Sequence, residues 1–493
     1  MAELTRRQRV AVLAICCMSL LIVGLDSTIV NVALPSIGHD LHASVAGLQW
    51  VVDAYTLVIA SLLMLGGSMG DRLGRRRTFQ TGLVLFTVAS LLCSLAPTLG
   101  WLVAFRMLQA VGGSMLNPVA MSIITNVFTD PRERARAIGA WGGVIGISLA
   151  LGPVIGGTLV GSVGWRSIFW INIPVGLAAV ALTARYVPES RAPRPRRLDP
   201  VGQVLVLAML ASVTYAIIEG PEAGWTSPRI IGPFVLAGVA LGVLLGYEPR
   251  RREPLIELRF FASAPFSGAT VIAMSAFAAL GGFLFLNTLY LQEARGLSAL
   301  HAGLLTLPMA AMTAIFGPVS GRIVGSRGPR PPLLVAGVAM TAASLLLTGL
   351  STTTPTSRLV LAYVVLGIGF GLVNAPITNT AMSGMPRAQA GVAAAIASTS
   401  RQIGQALGVA IVGALANAGV HGALRAQLAA ASHAGWWFTA GCGLAVLVIG
   451  LATTTRWAAG TAARVAAGFA GEDAGGAGPG GRDVASPVAD VVT

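Results

Sequence analysis

Residues 45–77 read VAGLQWVVDAYTLVIASLLMLGGSMGDRLGRRR. One formal charge, Asp53, interrupts the apolar run up to Gly66, and a glycine-punctuated turn with Asp71, Arg72, Arg75, Arg76 and Arg77 closes it. About 20 apolar residues cross the ~30 Å hydrocarbon core at 1.5 Å per residue, and arginines settle at its surface. The segment therefore reads as a transmembrane helix that delivers a basic loop to one face of a bilayer. Outward in both directions the same alternation continues. Fourteen spans are predicted, at roughly 10–34, 45–66, 78–97, 99–125, 137–160, 167–186, 200–219, 229–247, 265–291, 300–323, 331–350, 358–384, 390–417 and 434–455.

The bulk composition agrees. Of 493 residues, 55 % are hydrophobic and 11 % charged, with mean hydropathy +0.76, too apolar for a soluble domain of this length. The net charge of +14 is carried by arginine alone, since the chain has no lysine. Twenty-six of the 33 arginines fall in termini and alternate loops, five in the other loops and two, Arg106 and Arg401, within spans. That is a positive-inside bias rather than a nucleic-acid footprint, and it predicts both termini in the cytoplasm. The apolar segment after Arg6, Arg7 and Arg9 carries no small-residue cleavage site and reads as a retained first helix. Cys16, Cys17, Cys93 and Cys442 lie in apolar segments without zinc or disulfide spacing, and the histidines form no ligand pattern, so no metal is expected. No Gly-x4-Gly-Lys stretch exists for nucleotide binding, and no nucleophile–base set appears, so catalysis is not expected either.

The loop motif recurs. Gly67-x-x-x-Asp71-Arg72-x-Gly74-Arg75-Arg76 follows the second span, and Gly321 to Arg330 repeats its two glycines and arginine 254 residues later, after the tenth. Equivalence of the two segments makes spans nine to fourteen a repeat of spans one to six, with seven and eight inserted. Parallel six-helix halves around a central site are a transporter plan. Span four carries Arg106-x-x-Gln109-x-x-x-Gly113, continued by Asn117, on one helical face. A charge at that depth costs roughly 2.5–3.5 kcal/mol on insertion scales and must face an interior. Span five reads Ser148-x3-Gly152-Pro153-x2-Gly156-Gly157, small residues that let helix backbones touch and a proline that bends the helix.

Together these segments resemble the signature motifs of the major facilitator superfamily: its loop between helices two and three, its fourth-helix Arg-Gln-Gly stripe and its antiporter motif. Leu25-Asp26-x-Thr28 to Pro35, Gln49-Trp50, Trp165-Arg166 to Pro174 and Arg401-Gln402-x-Gly404-x-x-x-Gly408 resemble the 14-spanner drug:proton antiporters of the EmrB/QacA type. Ile218-Glu219-Gly220-Pro221-x-x-Gly224-Trp225 makes the look closest to actinobacterial antibiotic exporters. The resemblance implies an all-α polytopic membrane protein in the bacterial cytoplasmic membrane, working as a monomer. Its parts are an N-terminal six-helix bundle over 1–190, two inserted helices within 191–260 and a C-terminal bundle over 261–457. The remaining 458–493 are expected to form a disordered cytoplasmic tail, because beyond about Gly468 the chain is glycine, alanine and aspartate with few large apolar residues.

The expected function is proton-coupled efflux of lipophilic small molecules such as antibiotics, with the proton as coupling ion and no cofactor. Proton-coupled uptake is the alternative within transport, and a membrane receptor or enzyme the alternative outside it. Coupling candidates are Asp53 and Asp26, the acids inside apolar spans, with Arg106 as their counter-charge. An ion pair between Arg106 and either acid is the competing structural role. Cavity candidates are Gln49, Gln109, Asn117, Phe283, Asn287, Tyr290, Asn374, Arg401 and Gln405. Gating is assigned to Gly67, Asp71, Arg72, Gly74 and Arg75 in the loop, and to Gly152, Pro153, Gly156 and Gly157 on span five. Glu219 is expected to serve structure rather than coupling.

Overall fold

The computed structural model describes residues 5–192, 199–251, 253–383, 385, 390–419 and 424–475. Every regular element among them is helical. The first group is α1 (Arg6–Asp40), α2 (Val45–Leu73), α3 (Arg75–Ser94), α4 (Leu99–Val127), α5 (Pro131–Ser162), α6 (Ser167–Trp170) and α7 (Asn172–Tyr186). Next come α8 (Pro200–Ala223) and α9 (Pro228–Tyr247). The second group is α10 (Ala264–Leu289), α11 (Ala299–Arg327), α12 (Arg330–Leu347), α13 (Thr356–Met382), α14 (Ala390–Ala418) and α15 (Leu424–Thr453), followed by α16 (Arg456–Gly475).

Local sequence sets the ends. The Thr5 hydroxyl and the Gln8 side chain cap α1 reciprocally, Ser44 caps α2, and Asp130 caps α5 with Pro131 in its first turn. Only Leu41–Ser44 separates α1 from α2, so the two must run antiparallel. Each of the fourteen predicted spans coincides with helix, the sixth being broken at Ile171 into α6 and α7. Twelve helices among the described residues are long and apolar enough to cross a membrane. Of the fourteen, α3 and α14 fall short: α3 opens on three arginines, and α14 carries Arg401, Gln402, Gln405 and Asn417.

The packing order repeats. In the first group α1 packs on α5 and α7, α2 on α4, and α3 on α4 and α7. In the second, α10 packs on α14 and α15, α11 on α13, and α12 on α13 and α15. The correspondence is one to one, in the register that the repeated loop motif suggested. Between the groups, α2 meets α14 and α5 meets α11, two seams that a twofold rotation exchanges. The inserted α8 breaks this symmetry by packing on α9 and on both α2 and α14.

The tail departs from its reading. Residues 456–475 are helical rather than disordered, because the segment is rich in alanine and anchored at Phe469. That ring lies 5.6 Å from Phe260, with the Arg259 guanidinium 4.4 Å above it, while Thr461 Oγ1 accepts from the Ala264 amide at 2.9 Å. Residues 476–493 of the expected tail lie outside the described residues.

Candidate functional site

Span four delivers its polar stripe into a closed network. Arg106 Nη1 donates to Asp26 Oδ2 and, at 2.6 Å, to Gln109 Oε1, while Nε reaches the Val51 carbonyl at 3.3 Å. Gln109 Nε2 donates at 2.8 Å to both Asp26 Oδ1 and Ser90 Oγ, and Asn172 Nδ2 donates to Asp26 Oδ1 at 3.0 Å. The Tyr55 ring lies 4.0 Å from the guanidinium. Asp26 is 0 % and Arg106 1 % exposed. The pair is thus neutralised and hydrogen-bonded on all sides, the condition under which a buried pair survives its desolvation. Asn172 and Ser90 escaped the sequence reading as site residues; Asn172 stood in the Trp165–Pro174 motif, but nothing in the chain says that it reaches α1.

Asp53 is the opposite case. It is 0 % exposed, and neither carboxyl oxygen has a hydrogen-bond partner. Gln49, one turn before it, donates to the Val409 and Ala410 carbonyls of α14 at 3.1 and 2.8 Å. Leu57, one turn after it, sits in a cluster with Val206 and Leu210 of α8 and with Ile403 of α14. Residues four apart share a helical face, so Asp53 lies on the face of α2 turned to the seam between the groups. Gln49 itself is a clasp across that seam, not a cavity wall.

The second group places the remaining candidates in two environments. Phe283, 1 % exposed, stacks edge-on against Tyr363 at 5.4 Å and near Trp436 at 6.1 Å, and Tyr290 donates to the Ser351 carbonyl at 2.7 Å. Asn287 accepts from the Tyr363 hydroxyl. Phe283 and Tyr290 are thus packed into the interior rather than onto an open wall. A cavity of about 20 Å³, room for one water, borders Asn287 and Asn31 where the groups meet. By contrast Asn117, Asn374, Arg401 and Gln405 keep partial exposure, and Asn117 Oδ1 is unpartnered.

The segments expected to gate form contacts the spacing alone does not specify. Asp71 and Arg75 pair at 3.0 Å, and the loop is tied to the segment after α7: Arg75 N donates to Ser190 O at 2.9 Å, Arg76 N to Glu189 Oε1 at 3.1 Å, and Ala192 N to Asp71 O at 3.1 Å. Gly74 has φ +114°, and a Cβ there would meet the Glu189 carboxylate at 2.6 Å, so only glycine fits. Gly67 lies beside Pro118 of α4, while Arg72 is exposed. On α5, Gly152 and Gly156 receive Thr28 and Ile29 of α1. A Cβ on Gly157 would meet the Ala299 carbonyl of α11 at 2.6 Å, and one on Gly303 of α11 would come closer still to the Pro153 carbonyl. The end of the molecule that holds the α1–α2 turn is therefore closed backbone to backbone. Towards the Arg-rich end, a Cβ on Gly139, Gly142 or Gly143 of α5, or on Gly317 or Gly321 of α11, meets nothing within 4 Å.

Comparison with known proteins points one way. The family model described as Major Facilitator Superfamily matches residues 16–409. Curated relatives include the multidrug resistance protein Stp of Mycobacterium tuberculosis, 36 % identical over 83 % of this chain and 76 % of the relative. The tetracenomycin C resistance and export protein of Streptomyces glaucescens is 39 % identical over 80 % of this chain and 73 % of its own. Among solved structures, a bacterial homologue of the human lysosomal transporter Spinster superposes with TM-score 0.63 at 19 % identity, over 95 % of this chain and 99 % of the other. The Escherichia coli xylose transporter XylE gives 0.62 at 14 % identity, over 91 % and 96 %. Those two likenesses carry the fold.

Proposed function

Because the chain belongs to the major facilitator superfamily, we propose that it exports lipophilic small molecules of antibiotic type from a bacterial cell in exchange for protons. Its relatives named for multidrug resistance and for tetracenomycin C export support the direction and the substrate class. In this reading all fourteen helices cross the bilayer with both termini and the Arg-rich loops in the cytoplasm. The closed end then faces outward, and the structure corresponds to the state that loads substrate from inside.

One observation carries the coupling: Asp53 is buried at the seam between the halves with neither oxygen partnered. An ionised carboxylate there would bear its full desolvation cost, whereas a neutral acid is far cheaper to house. This conformation therefore accepts Asp53 with its proton. Any movement of α2 against α14 that admits water or a cation to Asp53 makes ionisation affordable and the proton leaves. Occupancy of the proton and seam geometry are thereby linked, which is what exchange requires. The Asp26–Arg106 pair, saturated by Gln109 and Asn172, serves as the fixed brace of α1, α4 and α7 in this scheme.

The test is reconstitution. Purified protein in liposomes under an imposed pH gradient should move a lipophilic dye against its gradient, and Asp53→Asn should abolish gradient-driven movement while dye binding persists. Wild-type transport that ignores the gradient would remove the exchange mechanism. A fully active Asp53→Asn would move the coupling elsewhere.

A further inference from the structure

Four formal charges lie deep within the apolar spans, away from their ends: Asp26, Arg106, Asp53 and Arg401. The first two neutralise each other and Asp53 can do without charge by holding a proton. Arg401 has no such escape, because a guanidinium stays protonated in proteins. Its Nη2 donates to Thr378 Oγ1 at 2.6 Å, its Nε is buried without a partner, and no carboxylate lies within ion-pair distance of it among the described residues. Nor does the second half offer one, since no Asp or Glu occurs between Glu293 and Glu472. The neighbouring polar groups spend their own protons on their own helix: the Thr378 hydroxyl donates to the Asn374 carbonyl at 3.4 Å, and Asn374 Nδ2 donates to the Phe370 carbonyl at 3.2 Å.

Aromatic surface lies alongside. The guanidinium carbon is 5.9 Å from the centre of the Phe277 ring, and Phe277 meets Phe370 edge-on at 5.2 Å. Phe277, Asn374, Thr378 and Arg401 all retain partial exposure on helices otherwise largely buried, so a ligand can reach them. A cation in an apolar span without a counter-charge is costly, and a guanidinium donates charge-assisted hydrogen bonds to a carboxylate or to a phenolate oxygen. Rings at its side offer a flat apolar face to the remainder of such a molecule.

We propose that Arg401, with Phe277, Phe370, Asn374 and Thr378, forms the subsite for the acidic group of a planar aromatic substrate, a lipophilic phenol or aromatic acid. The assignment rests on the export reading and narrows it. Cationic aromatics are disfavoured at this subsite, because they would meet a like charge in a medium that screens poorly.

The test compares two flat dyes of opposite charge, fluorescein and ethidium, by fluorescence polarisation on the purified full-length protein. The wild type should bind fluorescein at least tenfold more tightly than ethidium. Arg401→Gln should collapse that preference, Arg401→Lys should restore most of it, and Phe277→Leu should weaken fluorescein severalfold. Arg401→Lys keeps the charge and so guards against a variant that merely misfolds. The proposal is overturned if the wild type prefers ethidium or binds no fluorescein, or if Arg401→Gln leaves the preference unchanged. The two readings fail separately. Arg401-dependent fluorescein binding without gradient-driven movement of the dye would sink the export mechanism and keep the subsite; gradient-driven ethidium export that ignores fluorescein would do the reverse.

Discussion

At the scale of single residues, the two acids of the first half differ in what their neighbours supply. Asp26 receives Arg106, Gln109 and Asn172, whereas Asp53 receives nothing. Removing one partner of a buried pair costs about 3–5 kcal/mol, because it strands the other charge. Asp26→Asn should therefore lower the thermal unfolding midpoint of the purified protein markedly, while Asp53→Asn should leave it unchanged or raise it slightly. Equal losses would mean that Asp53 has a partner in solution that the packing conceals. Both acids were legible in the sequence, since a lone charge in an apolar run announces itself. Which acid Arg106 reaches was not legible: it depends on the rotation of α1 and α2 about their own axes relative to α4, and helical periodicity leaves that angle free. The same freedom explains why Phe283 and Tyr290 read as cavity walls yet are packed inside.

At the scale of elements, the small residues of α5 act through what they let approach. Gly157 and Gly303 bring α5 and α11 into backbone contact at the closed end, where any Cβ at Gly157 would strike the Ala299 carbonyl. Gly157→Leu should prevent that closure. With Asn31→Cys as reporter, 2 % exposed in the closed end, a membrane-impermeant maleimide should label the double variant severalfold faster than Asn31→Cys alone. Equal labelling would mean that the end closes by other contacts. The spacing of Gly152, Pro153, Gly156 and Gly157 pointed to a tightly packed helix, but its partners, α1 for two of the glycines and α11 for the third, follow only from the fold. The α16 helix differs from the expected disorder for a related reason: its composition mixes glycine with alanine, but alanine favours helix and Phe469 supplies an anchor that only the fold provides.

At the scale of the whole molecule, charge and repetition were the readable quantities. The repeated loop motif anticipated the parallel packing order of the two helix groups, and the arginine bias anticipates their orientation. Reporter fusions test the latter. Alkaline phosphatase inserted at Gly224, between α8 and α9, should be active outside the cell, whereas a fluorescent protein fused after Thr493 should fluoresce inside it. An inactive phosphatase at Gly224 would mean that α8 and α9 do not cross. Their placement was beyond the sequence, since nothing in an apolar helix names the surface it covers.

That placement has a mechanical consequence. Glu219 accepts from the Trp50 indole at 2.7 Å and Gln203 from α8 donates to the Ser61 carbonyl, both fastening α8 to α2; Glu222 accepts from Asn417 of α14 at 3.3 Å. Among the described residues no comparable element bridges α5 and α11. A pair of halves related by a twofold axis would rock like a seesaw, with both flanks parting by the same amount. Here one flank carries a bracing helix, while the other is held by its own close backbone contact at Gly157 and Gly303, so rocking of the halves would turn about the braced flank as a door turns on its post. In such a turn the leaf would sweep widest between α5 and α11, and Asp53 of α2 would lie near the pivot, where a small rotation changes what touches it while the distances around it hardly alter.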